Sequence, residues 1–168
     1  MQNYSLQNIS KQEYIKSPKS SRLNKDDFEN EKVQYYSINN CYYFSNYGSI
    51  NYDYAPYFVE INNILFVAFY EKIYGLNNGQ INLALELEFS LVGFEKYGEE
   101  LFVITDGSII RIKIDENMCY ITNIACILSE GGFIVDYKLF EGNVLKLNHE
   151  DNTTTDYNLL NSKYIYPS

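Results

Sequence analysis

The sequence predicts an all-β protein: an antiparallel meander of three similar units behind a polar N-terminal arm. Three observations carry this expectation. The chain of 168 residues holds 18 Tyr and 10 Phe but no Trp, and such rings favour the pleated, half-buried surface of a sheet. Apolar residues alternate with polar ones at period two in several segments. A strand-turn-strand pattern also recurs at a nearly fixed spacing, the signature of stacked or radially arranged supersecondary units.

Residues 1–34 carry six basic and five acidic side chains and are rich in Asn, Gln, Ser and Lys. They read as an arm, partly ordered, in which residues 16–21 (KSPKSS) form a mobile loop. Tyr4, Leu6, Ile9, Tyr14 and Ile15 are the residues in it able to dock. A single β domain is expected over residues 35–168, with repeats near 58–94, 95–129 and 130–168. It opens on an aromatic segment, residues 35–58, with turn-like Asn39-Asn40 and one or two short strands. Pro56 is expected just before a strand.

From Phe58 onward the pattern is clearest. In residues 81–89 (INLALELEF), Ile81, Leu83, Leu85, Leu87 and Phe89 occupy alternate positions. This predicts a strand with one buried and one wet face. Glu86 and Glu88 should then project together. Ile110, Ile112 and Ile114 alternate with Arg111, Lys113 and Asp115 in the same way. Asn77-Asn78-Gly79, Asp106-Gly107 and Glu141-Gly142-Asn143 are turns, with the positive φ angles that tight hairpins need. Leu65-Phe66-Val67 and Ile73–Leu76 recur 36 positions later as Leu101-Phe102-Val103 and Ile109–Ile112. A further 35 positions on, Val144-Leu145-Lys146-Leu147 matches the second half of the unit.

The strings LFV…IYGLNNGQ and LFVITDGSIIRIKID resemble blades of quinoprotein-like or WD-like β-propellers, over about residues 58–150. The Trp-Asp dipeptide of many blades is absent. The resemblance implies a partial or open propeller-like arrangement, because three units are fewer than closed rings use.

Chemistry is sparse. His149 is the only histidine. It precedes the polar run Glu150–Asp156 and reads as part of a hairpin loop. Neither that run nor any other has metal-ligand spacing. There is no phosphate-binding glycine loop or nucleophile elbow. No cofactor is expected, and no enzymatic activity. Cys41, Cys119 and Cys126 contain no CxxC pair. The last two are spaced to face each other across a hairpin. Three reduced, mostly buried thiols fit a cytoplasmic protein. The first residues, MQNYSLQNISKQ, lack the apolar stretch of a signal peptide. No apolar run is long enough to span a membrane.

The net charge is −9, all of it carried by residues 35–168. Such a surface repels nucleic acid and anionic lipid and attracts basic proteins. In type, a small acidic β protein of this kind resembles bacterial immunity proteins, which neutralise toxin domains that are often basic nucleases. The resemblance implies inhibition by direct binding of a basic toxin domain. The candidate partner-binding residues are Glu86, Glu88, Glu95, Glu99, Glu100, Asp106, Asp115 and Glu116. The alternative is a propeller-like structural scaffold that self-associates through strand edges into a homo-oligomer.

Overall fold

A computed structural model describes residues 4–24, 33–47, 56–69, 71–78, 80–115, 118–126, 132–140 and 142–165. The protein is mainly β. Among the described residues, four antiparallel sheets, none closed, one short α-helix and one 3-10 turn make up the regular structure. The chain divides into two compact units, one up to Leu85 and one from Glu86.

In the first unit, β1 (Leu6–Ile9), β2 (Val33–Ile38) and β3 (Tyr42–Tyr47) form a three-stranded sheet in that order. The described part of the N-terminal segment brackets the β2–β3 hairpin. β1 pairs with the outer edge of β2. On the other side, Leu23 N–H donates to Tyr43 O at 2.8 Å, and Asn24 exchanges two hydrogen bonds with Ser45. Both edges of the hairpin are thus covered, which removes a template for unwanted pairing. Between these contacts lies α1 (Lys11–Lys16), started by a Ser10/Glu13 capping box. Its Tyr14 is fully buried and donates to Asn24 O at 2.7 Å. Residues 16–21, expected to be a loop, end the helix and form a 3-10 turn. The Arg22 guanidinium ties this stretch down through Ile15 O, Ser17 O and Ser17 Oγ.

The second sheet of this unit is a meander of β4 (Tyr57–Ile61), β5 (Ile64–Phe69), β6 (Lys72–Asn77) and β7 (Gln80–Glu86). Pro56 stands just before β4, as its missing N–H requires. Asn62-Asn63 joins β4 to β5 with both residues at positive φ, the two-residue turn whose twist suits a hairpin. One face of the meander packs on the first sheet. The contact is a column of rings, Tyr36–Phe44–Phe69–Tyr74, with centroids 5.2, 4.3 and 5.4 Å apart. Leu23, Ile38, Leu65, Val67 and Leu76 fill around it. Tyr74 keeps its hydroxyl satisfied by donating to Leu23 O at 2.7 Å, as a buried phenol must.

The second unit holds two more meanders. One is β8 (Leu91–Tyr97), β9 (Glu100–Thr105), β10 (Ser108–Asp115) and β11 (Met118–Cys126). The other is β12 (Ile134–Phe140), β13 (Val144–His149), β14 (Thr154–Asn158) and β15 (Lys163–Ile165). Phe102, Ile104 and Ile109 of the first meander bury against Ile134, Leu145, Leu147, Tyr157 and Leu159 of the second.

Several expectations need correction. The strand over residues 81–89 ends at Glu86. The chain then leaves the ladder to bury Leu87 and to lay the Phe89 ring on the β9–β10 turn. Glu88 sits in that bend, so it does not share a strand face with Glu86. Gly107 is not at a positive φ in the left-handed region. Glycine is needed there because a Cβ would fall 2.5 Å from the Phe89 ring. Val144–Leu147 lies on β13, the second strand of its sheet, and so corresponds in place to β9 rather than β10. Strands β10 and β11 have eight and nine residues against six and seven in β6 and β7, so a constant step drifts by one strand.

Candidate protein-binding surface

The described candidate acids are divided among separate places. Glu86 is exposed at the end of β7, and Glu88 is exposed in the following bend. Asp106 is structural: its carboxylate accepts from Ser90 N–H at 3.1 Å, and its own N–H donates to Ser90 O at 2.9 Å. Glu95 is half-buried on β8 opposite Phe102. Loss of water raises its carboxyl above the ordinary glutamate value. Glu100 is held by Arg111 at 2.5 Å, and the same guanidinium reaches Ser162 Oγ at 3.0 Å and lies over the Phe102 ring. Glu116 lies outside the described residues.

Glu99, Glu100 and Asp115 are brought to one end of the β8–β11 sheet. The register makes this unavoidable: Tyr97 pairs with Glu100 and Glu100 with Lys113, so the β8–β9 turn and the end of β10 are neighbours. Glu99 and Asp115 are exposed there. Lys96 and Lys113 are exposed near the same end and offset part of its charge.

The sheet also carries an exposed apolar edge. β11 exposes Met118 (55%), Tyr120, Ile121 and Ile124 (55%). It is an edge strand, paired only with β10 among the described residues. A register shift opposite Arg111/Ile112 marks a bulge, which upsets strict alternation. The unpaired residue is Thr122; before it, Tyr120 pairs with exposed Lys113 and Ile121 with buried Ile112, so the two stand on opposite faces of an edge strand that is open on both. Near its end, Ala125 O accepts from the Tyr164 hydroxyl at 3.0 Å, so the more open part of the edge is residues 118–124. Asp115 pairs with Met118, so the apolar strip begins where the exposed acids stand. The available signal was local: MCYITNIAC follows a strictly alternating strand yet breaks its period.

The thiols differ from expectation. All three are free, but Cys41 and Cys126 are exposed and only Cys119 is partly covered. Cys119 and Cys126 occupy the two ends of one strand, not facing strands of a hairpin. Burial pushes the Cys119 thiol up to about 11.

His149 ends β13 and is buried, rather than lying in a loop. Its Nδ1 is 3.2 Å from Gly132 O and its Nε2 is 2.9 Å from Thr155 Oγ1. A carbonyl can only accept, so Nδ1 donates to Gly132 O, and Nε2 pairs with the Thr155 hydroxyl. Both nitrogens are thereby engaged in holding the turn. Among the described residues no group of three or more His, Cys, Asp or Glu is placed to hold a metal ion. No described helix is long and apolar enough to cross a membrane. The chain matches no protein-family model and no curated protein.

Proposed function

We propose that this chain is a protein-binding module that captures a basic partner, in the manner of an immunity protein neutralising a toxin domain. The observation that supports this is the exposed apolar strip on a strand edge unpaired among the described residues, beginning beside the exposed carboxylates of Glu99 and Asp115. An incoming extended segment of the partner adds to β11 through main-chain hydrogen bonds. Tyr120, Met118 and Ile124 supply buried contact area once covered, and aromatic anchors dominate such interfaces. The acids guide approach and select Lys- or Arg-bearing partners. The reading gives the chain no catalytic step. Its exposed free thiols suit a reducing compartment such as the cytoplasm.

The test is capture of the partner by tagged protein from its native lysate, followed by binding kinetics. Asp115→Lys combined with Glu99→Lys should slow association about tenfold at low salt. Ile124→Asp should speed dissociation with little change in fold. A basic partner that binds both variants like the parent protein would sink the assignment to β11.

A second reading has its own support. β12, the edge of the other meander, exposes Val135, Leu139 and Phe140, with Phe133 just before it. Two apolar edges suit a propeller-like scaffold that self-associates. Sedimentation at rising concentration tests it: a defined oligomer, insensitive to salt and lost on Val135→Lys, favours this scaffold over the partner-binding reading.

A further inference from the structure

A groove of about 440 Å³ opens in the first unit between its two sheets, within the size range of small-ligand sites. Ile38 and Leu65 are buried at its base, while Leu6 and Phe58 are partly exposed along it. Tyr4 and Glu60 supply its polar groups. The Tyr4 hydroxyl reaches Asn63 O at 3.5 Å. It is raised above its ordinary value by burial and then by the Glu60 charge, and both residues line the groove. Among the described residues no Lys or Arg lines the groove and Glu60 has no ion-pair partner. The result is an apolar, aromatic trough whose carboxylate is unpaired among the described residues, in a chain of net charge −9.

We propose that this groove is a binding site for an arginine side chain presented by a partner polypeptide. Arginine fits each part. Its methylene stem covers Leu6 and Leu65. Its planar guanidinium stacks on aromatic rings and makes two parallel hydrogen bonds to a carboxylate. It is also weakly hydrated, so entry beside apolar walls costs less than for an ammonium. The site lies in the other unit from β11 and does not depend on the role proposed for that strand.

The test uses Nα-acetyl-arginine methylamide, with the neutral citrulline analogue as control, titrated into isotopically labelled protein. Saturable shifts are expected at Tyr4, Leu6, Phe58 and Val59. The citrulline analogue and the Glu60→Gln variant should each bind about tenfold more weakly, as loss of a charge-assisted hydrogen bond requires. Phe58→Ala, at an exposed ring, is a second variant should Glu60→Gln fold poorly, and it should weaken binding as well. Equal binding of arginine and citrulline probes, or shifts confined to other residues, overturns the proposal. Ile124→Asp should leave the arginine titration unchanged, so loss of partner capture at β11 and failure of this groove are read separately.

Discussion

Glu95 shows how a single side chain couples to its surroundings. It stands half-buried on β8 opposite Phe102, while the nearby guanidinium of Arg111 is committed to Glu100. Its carboxyl is raised by loss of water, so the folded state disfavours its ionised form. Stability from this group is fully present below the unfolded carboxylate range and is lost as pH rises through the raised value. Glu95→Gln cannot ionise. It should therefore gain stability relative to the parent between pH 4 and pH 7, measured by urea unfolding at both. Cys119 responds to the same physics. With its thiol near 11, it holds almost no thiolate at pH 8. Iodoacetamide should modify exposed Cys41 and Cys126 well before Cys119, as followed by peptide mass mapping. Equal rates at all three would show that Cys119 is not shielded.

At the level of elements, strands are placed by what lies against them. β8 and β12 come together because Gly93 leaves room for the Tyr137 ring, whose hydroxyl donates to Phe94 O at 2.8 Å. A Cβ at Gly93 would fall 2.6 Å from that ring. Gly93→Ala should cost roughly 1–3 kcal/mol as an overpacking change. Gly98 is a different case, at φ +62 in an open turn with nothing near a Cβ. Gly98→Asn should be nearly neutral, since asparagine tolerates that conformation. Chemical denaturation of the two variants separates packing from backbone strain. The period-two pattern revealed that β7 and β10 are strands. It did not reveal where β7 stops, because Leu87 and Phe89 continue the pattern while serving a different purpose.

For the whole molecule, charge is the property with the longest reach. At −9, binding of a basic partner should be strongly salt-dependent in its association rate and weakly so in its dissociation rate. Stopped-flow measurements at 50 and 500 mM salt would check this. An association rate flat across that range would remove electrostatic steering from the account. Within each unit the fold rests on apolar packing, the ring column in the first and the cluster around Phe102 and Tyr157 in the second. Net charge bears on encounter and solubility, not on which strands pair.

The β class, the turn at Asn77-Asn78, the strand after Pro56 and the 36-residue step between β5 and β9 were legible in the residues, because backbone geometry and side-chain alternation are local. The grouping of the acids was not. Glu99, Glu100 and Asp115 meet through strand register, Asp106 is claimed by Ser90, and Glu95 is half-buried. The exposed strip on β11 also depended on tertiary structure: an edge position leaves apolar residues on both faces of the strand open to water. So did the groove beside Glu60, whose walls come from strands distant in the chain. Sequence determined what each segment can become, since that depends on neighbours along the backbone. Only tertiary structure decided which surfaces remain open to a partner, since exposure depends on what other segments cover.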